Sequence, residues 1–441
     1  MPRRGGNWNN SAAAGLAALN LNNERSNSNT NIGVRPASPH VRCQVGILPV
    51  RCREKREPAP SPKGKISYSP GRRVAGRKVG QSGPGYFLYI IRIESMPKSC
   101  GGLWGDVVAF DNLYRAFRSA RKGHVFKSDV LLFQSQLEEN LINIQNHLIY
   151  QSWRPGPWRQ FWVRDPKYRL IQAPCFADRV VHHALVDVVA PFFDRKMIYH
   201  SYACRSGKGV HDAARRVQHD LRVATRAWGS PWVLKADISK YFPSIDHDIL
   251  RSILPRTVRE KSIIDLFGHI ISGSGFDDRG LPVGALTSQL FANIYLDKMD
   301  HIIKDNLGIK HYVRYMDDFI IVFPSKVEAQ ELLTWLRHYL PTELRLSLNP
   351  KTIIFPASAR MVDFAGYRIC KTHMVPRKRN IKRARRAFKK MVKAYAVGDI
   401  DLSYIKPRVA SFIGYTKHCQ AIMSTKSVLG ELVLTRTSVL S

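Results

Sequence analysis

The chain has 441 residues, of which 69 are Lys or Arg and 34 are Asp or Glu, so its formal net charge is +35. Hydrophobic residues make up 44% of the sequence, which is enough to bury a core and excludes a wholly disordered polyelectrolyte. A charge excess of this size favours an extended polyanionic partner, and nucleic acid is a commoner partner of this kind than a membrane surface.

The cysteines and the first residues favour a cytoplasmic protein. The seven cysteines include no CxxC pair, so the usual zinc-binding spacing is absent, and their odd, scattered number fits a reducing compartment. The start of the chain lacks the apolar segment of a signal peptide, and the longest apolar run, residues 86–91, is too short to cross a bilayer. We therefore expect a soluble cytoplasmic protein.

The first 95 residues differ in composition from the rest. Residues 1–35 contain nine Asn, interleaved with Ser and Ala, and residues 36–95 form a basic segment rich in Pro and Gly. Neither segment has a helical or strand period, so 36–95 is expected to be a linker. Residues 1–95 carry 16 Lys or Arg and 4 acidic residues, a net charge of +12, so the remaining residues keep +23.

From residue 96 onward, the hydrophobic pattern predicts helices and strands. Helices are expected over residues 106–121, 130–149, 178–193 and 381–395. Strands are expected over residues 160–173 (as a hairpin), 232–238, 312–315 and 319–323. Strands interspersed with helices of unequal length predict an α+β fold.

Two segments place acidic residues at the ends of apolar strands. The sequence YVRYMDDFIIVF (312–323) predicts a hairpin whose tight turn presents Asp317 and Asp318, and Asp237 ends the strand in WVLKADISKYFPSI (232–245). Three such carboxylates can hold two divalent ions, and oxygen ligands favour Mg²⁺ or Mn²⁺ over zinc. The simpler alternative is an Asx-type turn at Asp317 and Asp318 and a helix cap at Asp237.

The order of the motifs resembles that of reverse transcriptases, and specifically those of diversity-generating retroelements, within the superfamily of group II intron and retron enzymes. The fingers motifs are RDPKYRLIQAP (164–174) and DRVVHHAL (178–185). The palm motifs are YACRSGKGVHDA (202–213), DISKYFPSID (237–246), GLPVGALTSQLFANIYLD (280–297), YMDD (315–318), LSLNPKT (346–352) and DFAGYRI (363–369). The resemblance implies a right-hand polymerase fold, with fingers and palm over 96–375 and a thumb over 376–441.

The resemblance also implies a role for individual residues. The ligands of two Mg²⁺ ions, for which Mn²⁺ can substitute, would be the carboxylates of Asp237, Asp317 and Asp318 and the backbone carbonyl of Ile238. The residues around the incoming dNTP would be Lys167 and Arg169 on the triphosphate, Phe242 as the steric gate against a 2′-hydroxyl, and Val283, Gly284 and Gln289 in the nucleotide-facing motif. Lys351 resembles the lysine that protonates pyrophosphate, and an ordinary solvated lysine explains this position equally well. His182 and His183 have no third ligand at a suitable spacing and are expected to be structural.

The segment 280–297 departs from the commonest reverse transcriptase pattern. Most of these enzymes have Gln-Gly followed by Ser-Pro, whereas this chain has Val283-Gly284 and Ser288-Gln289. Because Val283 cannot donate the hydrogen bond of about 0.5–1.5 kcal/mol that a glutamine offers, we expect looser discrimination between correct and incorrect pairs. Retroelement enzymes of this kind resemble one another in an aliphatic residue here and in errors opposite template adenine. The alternative is a neutral packing substitution.

Residues 377–393 hold ten basic residues and no acidic one, with an apolar stripe of Ile381, Ala384, Phe388, Met391 and Tyr395. At the place of a thumb, this helix is expected to bind duplex phosphates without sequence specificity, and a solvated helix or a localisation signal is the alternative. Since no other domain follows in the sequence, template degradation and target nicking are expected to depend on other proteins.

The favoured hypothesis is a bacterial or phage-encoded RNA-directed DNA polymerase that copies a template-repeat RNA into adenine-mutagenised cDNA, aided by an accessory variability determinant protein. Residues 1–35 resemble the Asn-rich variable end of the diversified proteins, so the reading frame is expected to run through the template repeat and the native protein to begin near Met96; the alternative is a disordered tail. Two other hypotheses are a retron-, group II intron- or phage-defence-type enzyme of ordinary fidelity and a non-catalytic nucleic-acid-binding protein. The three aspartates argue against the last.

Overall fold

A computed structural model of the chain describes residues 102–164, 168–273 and 278–436. The expectations for residues 1–95, for Met96 and for Lys167 therefore lie outside the described residues. The first half of the fold contains α1 (Trp104–Val108), α2 (Phe110–Arg121), α3 (Ser128–Ser135), α4 (Leu137–Ile149), β1 (Arg159–Arg164), β2 (Tyr168–Ala173), α5 (Phe176–Lys196), α6 (Val210–Trp228), β3 (Trp232–Asp237), α7 (Tyr241–Ser244), α8 (His247–Ile253) and α9 (Lys261–Ser272). The second half contains α10 (Leu286–His301), β4 (Tyr312–Tyr315), β5 (Asp318–Phe323), α11 (Lys326–Leu344), β6 (Ile353–Pro356), β7 (Val362–Phe364), β8 (Tyr367–Ile369), β9 (Met374–Pro376), α12 (Lys378–Ala396), α13 (Leu402–Thr416) and α14 (Ile422–Leu429).

The α+β prediction is confirmed, but two predicted helices are each divided in two. The helix expected over 106–121 is interrupted at Ala109, whose extended ψ of 132° ends α1. The carbonyl of Ala109 then accepts the first hydrogen bonds of α2, from the N–H groups of Asn112 and Leu113, both at 3.0 Å. The helix expected over 130–149 is interrupted at Gln136, whose φ of −127° is not helical. Both breaks leave the apolar period intact, which is why the sequence pattern did not predict them.

The centre of the fold is an antiparallel four-stranded sheet in the order β4-β5-β3-β6. One face of this sheet packs Leu234 and Ile321 into the larger hydrophobic core, together with the helices of the first half. The other face packs Val233 and Val322 against α6 and the small sheet β7-β8-β9. Because both faces are buried, β5 is a continuous apolar run after Asp318, and β3 is apolar except for Lys235 and its last residue, Asp237.

The last three helices form a separate small core within the segment for which a thumb is expected. Ala384, Phe388 and Met391 of α12 are buried, and Phe388 packs edge-on against Phe412 of α13 at 5.5 Å. The predicted stripe of α12 is confirmed as the face that packs. Helix α13 contacts the small sheet through Tyr415, whose hydroxyl donates to the carbonyl of Gly366 at 2.7 Å. Within the described segments, no helix is both long and apolar enough to cross a membrane.

Candidate active site

The turn between β4 and β5 presents two adjacent carboxylates at one end of the central sheet. Tyr315 pairs with Asp318, so Met316 and Asp317 form a two-residue turn. Met316 has a φ of 59°, in the left-handed region where glycine is usual in such hairpins. This strained backbone is fixed from two sides, because Arg314 Nη1 donates to the carbonyl of Met316 at 3.0 Å and the N–H of Ile238 donates to the carbonyl of Asp317 at 3.2 Å.

The antiparallel register brings the third predicted carboxylate to the same place. Asp237, the last residue of β3, lies directly opposite Asp318 in β5, so the two side chains project from the same face of the sheet. Asn349 holds Asp237 through two bonds: its N–H donates to the backbone carbonyl at 2.7 Å, and its Nδ2 donates to Oδ2 at 3.0 Å. The sequence pattern did not predict a role for Asn349, although this residue lies in the LSLNPKT motif.

Burial and mutual repulsion disfavour the ionised form of Asp317 and Asp318. Burial and, next, the Asp237 carboxylate raise the pKa of Asp317 to about 6, with Arg169 acting in the opposite direction. Burial, aided by Asp237 and Asp317 and opposed by Lys235, raises the pKa of Asp318 to about 7. Three carboxylates at this site therefore call for more positive charge than the neighbouring side chains supply.

The donor set fits a divalent cation, although the described residues include no group of three or more His, Cys, Asp or Glu side chains already arranged around a metal position. Oδ1 of Asp318 is buried and has no hydrogen-bond partner, which is costly unless a cation or water satisfies it. Carboxylate oxygens are the hard ligands that Mg²⁺ and Mn²⁺ prefer. The orphaned oxygen and the raised pKa values thus fit ion binding better than a simple Asx turn.

Behind the turn lies a buried ion pair that the sequence pattern did not predict. The guanidinium of Arg314 is fully buried and bonds both carboxylate oxygens of Asp300, with Nε at 2.8 Å from Oδ1 and Nη2 at 2.6 Å from Oδ2. Tyr312 donates to the same carboxylate at 2.5 Å, and Arg314 Nη1 also donates to Asn293 Oδ1 at 3.2 Å. The arginine in the otherwise apolar strand YVRY could have indicated such a pair, because a charge that is buried in a strand needs an oppositely charged partner.

The hairpin β1-β2 brings the fingers segment to the carboxylates. Its register pairs Val163 with Arg169, and the positive charge of Arg169 lowers the pKa of Asp317. The second strand also contacts the segment 280–297, since the N–H of Gln172 donates to the carbonyl of Val283 at 3.3 Å. Strand β2 therefore carries Arg169 and contacts the segment that contains Val283, whereas Lys167 is outside the described residues.

Of the remaining predicted residues, Phe242 and Lys351 lie near the same end of the sheet. Phe242 follows β3, is partly buried, and its carbonyl accepts a 2.9 Å bond from the N–H of Leu281, which connects it to the nucleotide-facing segment. Gly284 has a φ of 141°, which a residue with a side chain would adopt only with strain. Gln289 is half-buried in the first turns of α10. Lys351 is exposed, and its N–H donates to Asn349 Oδ1 at 3.0 Å. Asn349 in turn bonds Asp237, so Lys351 is connected to the carboxylates through one intervening residue.

His182 lies on α5 and contacts α10, not the carboxylates. Its ring is buried, and Nδ1 lies 3.2 Å from the hydroxyl of Thr287. Burial lowers the pKa of His182 to about 3, so the neutral ring is a packing element between two helices.

Comparison with known proteins identifies the segment that carries this site. Residues 164–369 match the family described as reverse transcriptase (RNA-dependent DNA polymerase). Protein YkfC of Escherichia coli (strain K12) is 23% identical over 279 residues, which are 54% of this chain and 73% of YkfC. Group II intron-encoded protein LtrA of Lactococcus lactis subsp. cremoris is 20% identical over 334 residues, which are 59% of this chain and 54% of LtrA. The match thus spans about half the length of LtrA. Among solved structures, apo telomerase from Candida tropicalis is 12% identical with a TM-score of 0.43, over 62% of this chain and 60% of that chain.

Proposed function

We propose that this chain, whose residues 164–369 form a reverse transcriptase domain, is the error-prone RNA-directed DNA polymerase of a diversity-generating retroelement. The domain is that of RNA-directed DNA polymerases, and relatives such as LtrA are encoded by group II introns. The observation that carries the polymerase assignment is the register of the central sheet, which places Asp237 opposite Asp318 and beside Asp317. The template would be a template-repeat RNA, the substrates dNTPs, and the product mutated cDNA.

Two Mg²⁺ ions held by Asp237, Asp317, Asp318 and the carbonyl of Ile238 would supply charge stabilisation to the attacking 3′-hydroxyl and the departing pyrophosphate. The chain's own residues position the reactants. Asn349 fixes the Asp237 carboxylate, and the Arg314–Asp300 pair fixes the carbonyl of Met316 in the turn. Asn349 and Arg314 therefore act through the aspartates, as positioning residues.

Residues around the incoming dNTP have separate tasks. Arg169 and Lys167 would bind the triphosphate oxygens, where a guanidinium offers a fork of donors and an ammonium a point charge. The ring of Phe242 would occupy the space below the sugar and exclude a 2′-hydroxyl. Lys351 would donate a proton to the pyrophosphate, a task that its exposed position after Asn349 allows.

The proposal of low fidelity depends on Val283. Its backbone carbonyl is held by Gln172 of the fingers, so the residue has a defined position between fingers and palm. The apolar side chain offers no hydrogen bond to a sugar, and Gln289 replaces the usual proline of this motif. These two residues favour the retroelement hypothesis. The similarity to LtrA favours the alternative, a group II intron-type enzyme of ordinary fidelity.

Sequencing the cDNA made by the purified protein from a primed RNA template separates these hypotheses. We expect substitutions concentrated opposite template adenine, and fewer of them with Val283→Gln; uniformly rare errors in the wild type would support the group II intron-type enzyme instead.

Asp317→Ala and Asp318→Ala should abolish Mg²⁺-dependent incorporation without loss of RNA binding, because phosphate contacts dominate affinity. Primer extension near the wild-type rate by the double variant would refute the polymerase assignment. Stimulation by the accessory variability determinant protein is a further expectation of the retroelement hypothesis.

A further inference from the structure

A cationic cleft lies between helix α6 and the turn that joins β8 to β9. Its volume is ≈ 390 Å³, and it is lined by Arg222, Thr225, Arg226, Lys371 and Thr372. Three of these five side chains carry a positive charge at neutral pH, and no carboxylate belongs to the lining that the structure describes. We propose that this cleft binds the phosphodiester backbone of the template RNA at a point away from the stretch being copied.

The cleft is at the opposite end of the central sheet from the catalytic carboxylates. Asp220 and Trp228 of α6 both contact His311, which immediately precedes β4, and the turn with Asp317 follows the other end of that strand. Strand β3 begins four residues after Trp228 and reaches Asp237 only at its sixth residue. At about 3.3 Å per residue, the two ends are separated by roughly 17–20 Å. The cleft is therefore distinct from the site that would hold the dNTP.

The arrangement of the charges is unfavourable unless an anion is bound. Arg222 and Arg226 are four residues apart on one helix, so their guanidinium groups are neighbours that repel each other. Arg222 Nε donates to the carbonyl of Lys371 at 3.4 Å, which brings the third cation next to the first. A phosphate group between such side chains would turn the repulsion into charge-assisted hydrogen bonds.

The two threonines of the cleft already have protein partners. The hydroxyl of Thr225 donates to the carbonyl of Leu221 at 2.7 Å, and that of Thr372 lies 2.9 Å from His373 Nδ1. Recognition therefore depends on the guanidinium and ammonium groups, which suits a phosphate better than a neutral sugar or base. Contacts of this kind carry no sequence information.

A strand fits the surface better than a small anion, because the positive charge continues along the helix. Arg215, Arg222 and Arg226 recur at intervals of seven and four residues on the exposed side of α6, a stripe of roughly 16 Å at 1.5 Å per residue. Arg215 pairs with Asp212 at 3.0 Å and lies 3.0 Å from His418 Nδ1. That the strand is template RNA rests on the proposed function, whereas the phosphate-binding role rests on the cleft alone.

The test measures binding of two primed RNA templates to the full-length protein. One template is trimmed close to the primed region, and the other has a long single-stranded extension. Wild-type protein should bind the extended RNA more tightly. Arg222→Gln combined with Arg226→Gln should weaken binding of the extended RNA roughly five- to tenfold and lower the slope of log K against log salt by about 1.4, since each single-strand phosphate contact contributes about 0.7. A matched control, Lys261→Gln with Arg337→Gln, removes two exposed charges from α9 and α11 and should leave the slope near that of the wild type.

Two further measurements distinguish an RNA-binding cleft from a small-anion site and from a defect in folding or catalysis. Thermal unfolding of the cleft variant should be unchanged or shifted upward, because two repelling charges are removed, and primer extension on the trimmed template should match the wild type. If the trimmed template is extended but the cleft variant binds the extended RNA with wild-type affinity and slope, the inference is wrong and the polymerase assignment stands. If inorganic phosphate binding is lost while RNA binding is not, the cleft is a small-anion site and the inference is likewise wrong.

Discussion

At the scale of single residues, the buried pair of Arg314 and Asp300 is the main support of the candidate catalytic turn. Both side chains are fully buried and form two parallel hydrogen bonds. Their desolvation is costly, so a buried pair is weak evidence for stability but strong evidence for a defined geometry. The geometry in question is the left-handed Met316, whose carbonyl Arg314 holds.

Arg314→Met should therefore destabilise the protein by about 3–5 kcal/mol, because it leaves the carboxylate of Asp300 buried without a partner. Combining Arg314→Met with Asp300→Leu should restore much of the free energy of unfolding, since no unpaired charge remains. The double variant should still have a reduced kcat for primer extension with a nearly normal KM for dNTP, because the Met316 carbonyl has lost its donor. Denaturant unfolding and steady-state kinetics measure the two effects, and a double variant with full kcat would exclude the positioning role.

Phe242→Ala tests the proposed selection of the sugar. Phe242 is only partly buried, so truncation should cost little stability while opening the space next to the nucleotide-facing segment. We expect the ratio of rNTP to dNTP incorporation to rise, measured by competition on one primed template. Phe242→Tyr, which keeps the ring, is the matched control and should retain discrimination. An unchanged ratio in the alanine variant would make Phe242 a packing residue.

Asp297 should make stability depend on pH. Its Oδ1 is buried without a hydrogen bond, and burial, with Asp300 adding to it, raises its pKa to about 7. The folded state therefore keeps a proton that the unfolded state loses near pH 4, so stability falls as the pH rises from about 4 to about 7. The effect is at most about 4 kcal/mol for a shift of this size, and smaller here because the side chain is 24% exposed.

The variant Asp297→Asn should be more stable than the wild type at pH 8 and have a flatter dependence between pH 4 and 7. Thermal unfolding across this range measures the difference, and Glu331→Gln, which changes an exposed acid on α11, serves as the control. Parallel curves for wild type and Asp297→Asn would show that the carboxyl group ionises normally in the folded protein.

At the scale of elements, helix α12 packs with one face and exposes cations on the other. Phe388 and Met391 pack into the core of the last three helices, while Lys382, Arg386 and Lys393 are exposed. Changing these three cations to Gln should leave the helix folded and weaken binding of an RNA–DNA duplex. The slope of log K against log salt should fall by up to about 2.7, at about 0.9 per phosphate. Wild-type salt dependence in this variant would favour the alternative of a merely solvated helix.

Helices and strands that the hydrophobic pattern of neighbouring residues indicates could be predicted from the sequence. Contacts between segments far apart in the sequence could not. The strands that end at Asp237 and begin at Asp318 were evident from apolar runs with acids at their ends, and the structure confirms both strands. The bond from Asn349 to Asp237 spans 112 positions, and nothing in either segment specifies that register. The pair of Arg314 and Asp300 similarly depends on how α10 packs behind β4. The hydrophobic periodicity of each element does not indicate which other element it packs against.

At the scale of the whole molecule, positive charge is distributed over several surfaces. Helix α12 holds one group of cations and the cleft on α6 a second, and a net charge of +12 belongs to residues 1–95. Charges on separate surfaces add to non-specific RNA affinity through counterion release, each in proportion to the phosphates it meets. Salt dependence therefore measures how many surfaces an RNA contacts at once.

A chain that begins at Met96 tests what residues 1–95 contribute. Their Asn-, Pro- and Gly-rich sequence offers too few periodic apolar positions to offset an ordering entropy of about 1–2 kcal/mol per residue. We expect the shortened chain to unfold at the same temperature as the full chain and to extend primers at the same rate. Because it lacks a net charge of +12, it should bind RNA more weakly at low salt, and the two affinities should converge as salt screens the difference. Mass spectrometry of the native protein should place its N-terminus near Met96. An insoluble or inactive shortened chain, or abundant native peptides from residues 1–35, would mean that the segment is a working part of the protein.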